Sequence, residues 1–148
     1  MADRHGPLRT GRFVVEVGGV EVDGFRVVDL PARFTKEVEY REGSDPDDNR
    51  QLMGQTEYED LTMKRGAKKG DTTLFDWRKS VDEGRMEEGR KDLAVVLQTE
   101  TGEEAIRWEF TNAWPKRYDP PTLDATSEGG GVATEDVTIV FDEMTRAE

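Results

Sequence analysis

Residues 58–80, YEDLTMKRGAKKGDTTLFDWRKS, change their period halfway along, and this change decides how the rest of the chain is interpreted. The first half alternates apolar and polar residues, which is typical of a half-buried β-strand with Leu61 and Met63 facing inward. The second half places Leu74 and Trp77 on one face of a helix. The sequence therefore predicts a strand that leads directly into a short helix.

The short helix carries its own start and stop signals. Asp71, Thr72 or Thr73 can cap its N-terminus, and Thr73 together with Asp76 fits a capping box. We expect the helix to end at Gly84, because glycine adopts the left-handed conformation of helix C-termini without steric cost. These signals predict one helix of modest length.

Alternating segments on either side of this unit predict more strands. Gly18–Gly19 separates two valine-rich runs and has the form of a two-residue hairpin turn. A second hairpin is expected around Thr101–Gly102, and Trp114–Pro115 is expected to stop its returning strand. The segment VATEDVTIVFDEM predicts a last strand with Val137 and Ile139 facing inward. The fold class that follows is mainly β, of the α+β type: a β-sandwich or barrel of about six or seven strands with one packed helix.

One domain is predicted to span residues 1–148, because no repeat or low-complexity linker divides a chain of ordinary single-domain length. Residues 1–11 are polar and glycine-bearing, and we expect them to form a flexible arm. Residues 43–56, GSDPDDNRQLMGQT, join two neighbouring strands, but they have no period and are too long for a tight hairpin. We expect this segment to be a long functional loop.

The composition excludes several functional classes. The chain has 33 acidic and 21 basic residues, a formal net charge of -12, so the basic footprint of a nucleic-acid-binding domain is missing. It has no cysteine, which excludes a disulfide framework and a thiolate metal site. No apolar run has the length of a secretion signal or a membrane span. We therefore expect synthesis and assembly in the cytoplasm, with no membrane anchor.

Several residues suggest catalysis or ligand binding, but each is explained more simply as a solvent-exposed surface residue without such a function. His5 is the only histidine and lies in the expected arm, so no serine–histidine triad can be built. The run DPDDN at 45–49 is rich in oxygen ligands for calcium but lacks the spacing of an EF-hand loop. KRGAKKGDTT resembles a phosphate loop, but its glycine spacing is wrong and Asp71 stands where the lysine should be. We predict no catalytic residue, no metal and no cofactor.

A basic cluster, Lys64, Arg65, Lys68 and Lys69, lies at the corner between the predicted strand and helix of this acidic chain. It can be a solvated corner that keeps the molecule soluble. It can also meet acidic surface on another copy of the chain, where ion pairs would offset the repulsion between subunits that each carry -12. The second interpretation is preferred.

Taken in order, six segments resemble the tail tube proteins of contractile phage tails and related injection systems. They are FVVEVGGVEVDGFRVVDL, EVEYREG, YEDLTMKRG, LFDWRKS, WEFTNAWPKRY and VATEDVTIVFDEM, and they extend from residue 12 to about residue 146. Three features are distinctive in combination: strand ends at Tyr40–Gly43 and Lys64–Gly66, and Asn112–Pro115 after a strand. One departure is Leu52–Gly54, where such proteins often carry a Leu-Pro-Gly-like stretch, and the missing proline predicts a more flexible loop.

The resemblance implies a structural function without enzymatic activity. Such proteins form hexameric rings whose inner strands join into one β-barrel, and the rings stack into a rigid tube inside a contractile sheath. The implied partners are further copies of the chain, sheath, baseplate and terminator proteins, and a DNA or protein payload that crosses the lumen without specific binding. The implied location is a virion or an extracellular or cell-associated injection particle. A phage tail, an extracellular injection system and a type VI-like tube all stay open.

The resemblance and the period of strands together predict which residues form the surfaces of the tube. Outward residues of two strands are expected to face the lumen, because Val38, Tyr40, Leu61 and Met63 should face the subunit core. The lumen candidates are Glu37, Glu39, Asp60 and Lys64. The long loop and the basic corner are expected at the contact between rings. The inter-ring candidates are Asp45, Asp47, Asp48, Asn49, Leu52, Met53, Gly54, Arg65, Lys68 and Lys69.

The alternative is a monomeric β-sandwich module that binds carbohydrate or protein. It predicts a stable monomer with exposed tryptophans that can stack on a ligand. Trp77, Trp108 and Trp114 occupy alternating or helical faces, from which we expect core packing instead. Electron micrographs of the purified protein distinguish the two functions, because a tube protein forms rings or filaments.

Overall fold

The computed structural model describes residues 7–40, 50–126 and 131–148, and within them it contains ten strands and two helices. The predicted fold class is confirmed, although the strands outnumber the expected six or seven. The helices are α1 (Thr73–Asp82) and α2 (Met86–Gly89). The strands are β1 (Phe13–Val17), β2 (Val20–Val22), β3 (Phe25–Asp29), β4 (Arg33–Tyr40), β5 (Arg50–Tyr58), β6 (Leu61–Gly66), β7 (Lys91–Gln98), β8 (Glu104–Asp119), β9 (Thr134–Val140) and β10 (Glu143–Ala147).

Eight of the strands form one long antiparallel sheet that folds over on itself. Their order is β2-β1-β7-β8-β9-β6-β3, and β10 also pairs with β8. Strand β8 has 16 residues and belongs to both halves of the sheet: its first part lies between β7 and β10, and its second part pairs with β9. Asn112, where the two parts meet, has a φ of 49°, so the backbone turns there.

The hydrophobic core lies between the two halves of this sheet. Val15, Leu93 and Phe110 from the first half form one cluster with Leu61 and Ile139 from the second half. Each of these side chains is at most 2% exposed. Burying a side chain of this size contributes about 1.5–3 kcal/mol. The two halves are therefore held together by apolar burial.

The predicted inward positions of β6 and β9 are buried, whereas β7 is buried on both faces. Met63 in β6 and Val137 in β9 are fully buried, as predicted. In β7, Ala94 and Val96 lie on the face opposite to Leu93, yet they are only 4% and 2% exposed. Strand β7 is thus buried on both faces, which agrees with the continuous apolar run in its sequence, KDLAVVLQ.

The hairpin between β1 and β2 has the turn that its sequence predicts. Gly18 and Gly19 have φ angles of 61° and 81°, as a type I′ turn requires. Val17 and Val20 flank the turn as a cross-strand pair. Glycine adopts two such angles in succession without steric cost, so these two residues fix the turn.

Helix α1 lies where the sequence predicts it, but its first turn is capped differently. Asp71 accepts hydrogen bonds from the backbone N–H of Thr73 at 3.2 Å and from the Thr73 hydroxyl at 2.8 Å. Thr72 donates its hydroxyl to Asp76 at 2.8 Å, so the capping box predicted between Thr73 and Asp76 is wrong. Gly84 follows the helix with a φ of 74° and ends it, as predicted.

The buried side of α1 faces β8 and the short helix α2. Leu74, Trp77 and Ser80 are its buried residues. Trp77 donates its indole N–H to the carbonyl of Gly89 at 2.6 Å. A side chain at Gly89 would collide with α1, since a Cβ there would lie 2.9 Å from Cγ2 of Val81. Close packing of α2 thus fixes the indole of Trp77, whose predicted core position is confirmed.

Strand β8 continues through Trp114–Pro115, where the sequence predicted that it would stop. Pro115 is fully buried and lies opposite Ile139. The register of the ladder shifts between Pro115 and Arg117, so the missing N–H of the proline falls at an irregular position of the ladder. The strand therefore runs on to Asp119.

The loop predicted at 43–56 is wrong over its second part. Strand β5 begins at Arg50, and Val38 of β4 lies opposite Leu52. These two strands form a separate two-stranded sheet in which residues 32–37 are all exposed. Over residues 33–37, both faces of β4 are exposed, so this part of the hairpin buries no apolar face.

Two further predictions fall on parts of the chain outside the described residues. The described residues do not include residues 43–49 of the predicted loop or residues 1–6 of the predicted arm. His5 and the acidic run DPDDN lie in these segments, so the arm and the tip of the β4–β5 hairpin stay predictions.

Candidate assembly surfaces

The basic corner at the end of β6 contains one residue that is not on the surface. Arg65 is only 2% exposed, and its guanidinium forms a two-point ion pair with the carboxylate of Asp71. The guanidinium also lies 5.8 Å from the centre of the Phe25 ring. The prediction of Arg65 as an inter-ring contact is therefore corrected: a side chain buried in its own subunit cannot reach a neighbouring ring.

The residues around Arg65 leave space for its buried side chain and supply its counter-charge. Gly24 leaves space for it, because a Cβ there would lie 3.3 Å from Nε of Arg65. That Nε has no hydrogen-bond partner among the described residues. The pKa of Asp71 is held below its usual value, first by the hydroxyl and N–H of Thr73 and then by Arg65. The carboxylate is thus charged at neutral pH and ties the loop before α1 to the sheet.

The lysines of the same corner are on the surface. Lys68 and Lys69 are exposed, and neither forms a salt bridge within the described part of the chain. They precede Gly70, whose φ of 81° turns the chain toward α1. The two ammonium groups are free for contact with another molecule, and their role between rings stays a prediction.

The lumen candidates are exposed wherever their side chains are described. Glu37 in β4 and Lys64 in β6 are exposed. Asp60 is exposed as well and forms an ion pair with Lys116, with 2.5 Å between Oδ2 and Nζ. Glu39 lies in β4, and its side chain is outside the described residues. These positions agree with a surface role, and their assignment to a lumen stays a prediction.

The remaining inter-ring candidates divide between the hairpin tip and its stem. Those at the tip fall outside the described residues; they are Asp45, Asp47, Asp48 and Asn49. Leu52, Met53 and Gly54 belong to strand β5, in contrast to the loop position that was predicted. In the ladder, Leu52 lies opposite Val38 and Met53 opposite Glu37. Their predicted loop position is therefore wrong, and their contact with a neighbouring ring stays a prediction.

A second buried polar contact lies next to Arg65 and was not found from the sequence. Glu135 in β9 is 6% exposed and is the cross-strand partner of Arg65. It accepts a hydrogen bond from the hydroxyl of Tyr118 at 2.5 Å. Burial and the neighbouring carboxylate raise the pKa of Tyr118 to about 12. The ring of Tyr118 meets Phe75 of α1 edge-on, with 5.8 Å between ring centres.

The outer face of the first half-sheet carries an arginine surrounded by carboxylates. Arg107 donates to Glu16 at 2.5 Å, to Glu109 at 2.9 Å and to Glu104 at 3.0 Å. These hydrogen bonds, the one to Glu16 above all, raise the pKa of Arg107 further. One cation shared by three carboxylates leaves this face acidic. An arginine does not release its proton at neutral pH, so the cluster is a surface ion network and offers no acid–base pair.

Features typical of ligand chemistry are few in the described residues. No group of three or more His, Asp and Glu side chains in residues 7–40, 50–126 and 131–148 is placed to hold a metal ion. Over the same ranges, no helix combines the length and the apolar character needed to cross a membrane. Trp108 and Trp114 are partly buried, and Trp108 packs against the core. An exposed tryptophan platform for sugars is therefore not formed by these side chains.

Comparison with known proteins gives consistent matches over nearly the whole chain. Among solved structures, the chain is similar to one from the sheath–tube complex of the PVC extracellular contractile injection system in its extended state. The TM-score is 0.83 at 28% sequence identity, covering 97% of this chain and 93% of that chain. A chain of the PVC sheath/tube terminator in the extended state gives a TM-score of 0.84 at 27% identity, covering 99% and 100%.

More distant structures share the fold alone. Hcp1 from Flavobacterium johnsoniae is 18% identical, with a TM-score of 0.51 over 90% of this chain and 93% of that chain. No curated protein matches the chain at a significant level. Residues 9–145 match the family model described as T4-like virus tail tube protein gp19. Because this match extends over almost the entire sequence, the chain belongs to the T4-like virus tail tube protein gp19 family.

Proposed function

We propose that this chain is the building unit of the inner tube of a contractile injection system, in which hexameric rings stack into a hollow tube. The observation that carries the proposal is the similarity to chains of PVC sheath–tube and tube-terminator assemblies over at least 97% of this chain. The family match supports the same structural function. We infer no enzymatic activity, in agreement with that function.

The open strand edges of the subunit support assembly into rings. Strand β3 pairs only with β6, and β2 only with β1, among the described strands. The two-stranded sheet of β4 and β5 stands apart from the main sheet. Unpaired edges favour uncontrolled association of a soluble monomer, whereas a closed ring pairs them. A chain with 34% hydrophobic residues also gains stability when it buries surface between copies.

We infer that the partners are further copies of the chain together with sheath, baseplate and terminator proteins. The PVC structures that resemble the chain are assemblies of sheath and tube and of the sheath/tube terminator. A DNA or protein payload would cross the lumen without specific binding, which suits a chain of net charge -12. We infer assembly in the cytoplasm and incorporation into a virion or an injection particle.

Electron microscopy of the purified full chain tests this function directly. Negatively stained samples are expected to contain rings or short stacks, and sedimentation velocity is expected to give species much larger than the 16.8 kDa subunit. A matched sample at about tenfold dilution shows whether the rings dissociate as the protein concentration falls. A monomer at every concentration would refute the tube function and favour a monomeric binding module.

A further inference from the structure

One side of the folded sheet carries an apolar groove that no described element covers. The groove has a volume of about 270 Å³ and lies between β3 and the inner face of β1, β7 and β8. Its apolar lining includes Phe13, Val27, Val28, Leu30, Leu97 and Trp108. Val27 and Leu30 are 45% and 38% exposed. In so polar a chain, this exposed apolar groove is a candidate interaction site.

A separate surface of the subunit, on α1, carries an aromatic projection. The groove lies beside β3, whereas α1 packs on β8. Phe75 on α1 is 53% exposed although it is a large apolar residue. Tyr118 of β8 holds its ring edge-on. Each subunit therefore has a concave apolar surface beside β3 and a separate convex one on α1.

The charges beside these two surfaces are complementary. Arg26 lines the groove and has no ion-pair partner among the described residues. Asp76 follows Phe75 in the first turn of α1, and within the described chain its carboxylate accepts a hydrogen bond only from Thr72. An unpaired cation at the groove thus matches an unpaired carboxylate beside the projection. The match favours a second copy of this chain over an unrelated apolar ligand.

We propose that Phe75 of one subunit inserts into the groove of the next subunit, with Asp76 close to Arg26 of that neighbour. The contact joins two different surfaces, so it repeats head-to-tail and closes into a ring when the rotation between copies closes. An aromatic side chain in an apolar pocket is a typical energetic centre of an interface. The inference rests on the proposed tube function and identifies the surfaces through which neighbours in one ring recognise each other.

Disulfide trapping tests the contact cleanly, because the chain contains no cysteine. Arg26→Cys and Asp76→Cys are made in separate chains, purified and oxidised alone and as a mixture. Covalent dimers are expected only in the mixture, since a head-to-tail contact brings the two different positions together. A link within one chain is excluded because each variant carries a single cysteine.

A matched pair of alanine variants tests the projection itself. Phe75→Ala is expected to raise the concentration of half-maximal ring formation by about tenfold or more, as for an anchor residue at an interface. Leu123→Ala is the control, because Leu123 is 88% exposed and has no part in the proposed contact. It is expected to assemble like the wild type. Circular dichroism is expected to be unchanged for both.

The outcomes separate this inference from the proposed function. If the wild type forms rings while the mixed cysteine chains do not cross-link, the inference is wrong and the tube function stands. The same conclusion follows if Arg26→Cys cross-links with a Leu123→Cys chain instead, because another loop then fills the groove. Dimers formed by either single-cysteine variant alone would reveal a face-to-face contact, which also overturns it. If the wild type forms no rings, the tube function and the inference both fail.

Discussion

Arg65 is held in the core by one carboxylate, and its energetic role follows from that arrangement. The side chain is 2% exposed, whereas the side chain of Asp71 is 27% exposed. Removing one partner of a buried pair leaves the other charge without water or counter-charge, which costs more than the pair itself contributes. The loop before α1 depends on this pair, since Asp71 also binds the first turn of the helix.

We expect Asp71→Asn to lower the free energy of unfolding at pH 7 by about 2–4 kcal/mol. The substitution leaves the buried charge of Arg65 without a counter-charge. Urea denaturation followed by circular dichroism measures the change. Asp76→Asn is the matched control, since its carboxylate is not in a buried pair, and we expect a loss below about 1 kcal/mol. Equal losses in the two variants would assign the effect to the helix terminus and not to the pair.

The same pair predicts a dependence on pH with a definite sign. The pKa of Asp71 is lowered in the folded state, so its carboxylate stabilises the protein above the unfolded pKa of about 3.9. This contribution is lost as the pH falls through the folded value. The difference in stability between wild type and Asp71→Asn is therefore expected to be steady from neutral pH to about pH 5 and to shrink below about pH 4. A difference that grew in acid would contradict this account.

Tyr118 predicts the opposite behaviour in alkali. Its pKa is raised to about 12, so the neutral phenol stabilises the fold fully below the unfolded pKa of about 10. That contribution is lost as the pH rises toward 12. Ultraviolet titration is expected to show a late tyrosinate component that disappears in Tyr118→Phe and persists in Tyr58→Phe. If Tyr118→Phe removed only absorbance that develops near pH 10, the bond to Glu135 would not exist in solution.

The burial of Arg65 could have been predicted from its position in β6. It is the third of the inward positions that begin with Leu61 and Met63, so the alternation alone places it inside. The sequence interpretation grouped it instead with three neighbouring lysines and arrived at a surface position. Its partner Asp71 depends on how the intervening loop turns, and no local pattern specifies that.

Among the elements, the β4–β5 hairpin stands apart from the main sheet. It forms its own two-stranded sheet, and the described part of β4 is exposed on both faces. An isolated two-stranded hairpin is marginally stable in water. Contacts with neighbouring subunits are therefore expected to stabilise it, and residues 45–49, which lie between its two strands in the sequence, are the expected point of contact.

We expect replacement of residues 45–49 by a Gly-Ser segment of equal length to leave rings intact but to stop tube elongation. The acidic tip would lose its contact with the adjacent ring, while the stem and the main sheet keep their own hydrogen bonds. Circular dichroism checks the fold, and electron micrographs measure tube length. The same replacement of residues 120–124, an exposed loop of equal length, is the control. Long tubes from the variant at 45–49 would show that the tip is not the stacking element.

Elements specified by local chemistry could be predicted, and those specified by distant partners could not. Gly18–Gly19 fixes a turn by its own φ angles, and Gly84 ends α1 in the same way. Strand β8 passes through Pro115 only because β9 accommodates an irregular register there. Strand β10 pairs with the middle of β8 and follows a single two-residue break, which the sequence does not mark as a turn. In both cases, pairing with a strand distant in the sequence determines the structure, and the local sequence does not.

For the whole molecule, charge is the main obstacle to assembly. Each subunit carries a formal charge of -12, so stacked rings repel one another unless opposite charges meet at the junction. Lys68 and Lys69 are exposed cations without a salt bridge in the described chain, which suits them to that junction. Arg90 and Lys91 form a second exposed basic pair elsewhere on the subunit. Comparing the two pairs separates a local contact from an effect of net charge.

We expect the double reversal Lys68→Glu and Lys69→Glu to shorten tubes at low salt, because it replaces attraction between rings by repulsion. Each exposed pair contributes only about 0–1 kcal/mol, but the contact repeats around every ring. Added salt should restore part of the length, since it screens the new repulsion over a Debye length of about 8–10 Å near physiological ionic strength. Arg90→Glu with Lys91→Glu changes the net charge equally and is expected to keep wild-type length. Shortening of similar size in both variants would mean that total charge, and not this corner, limits stacking.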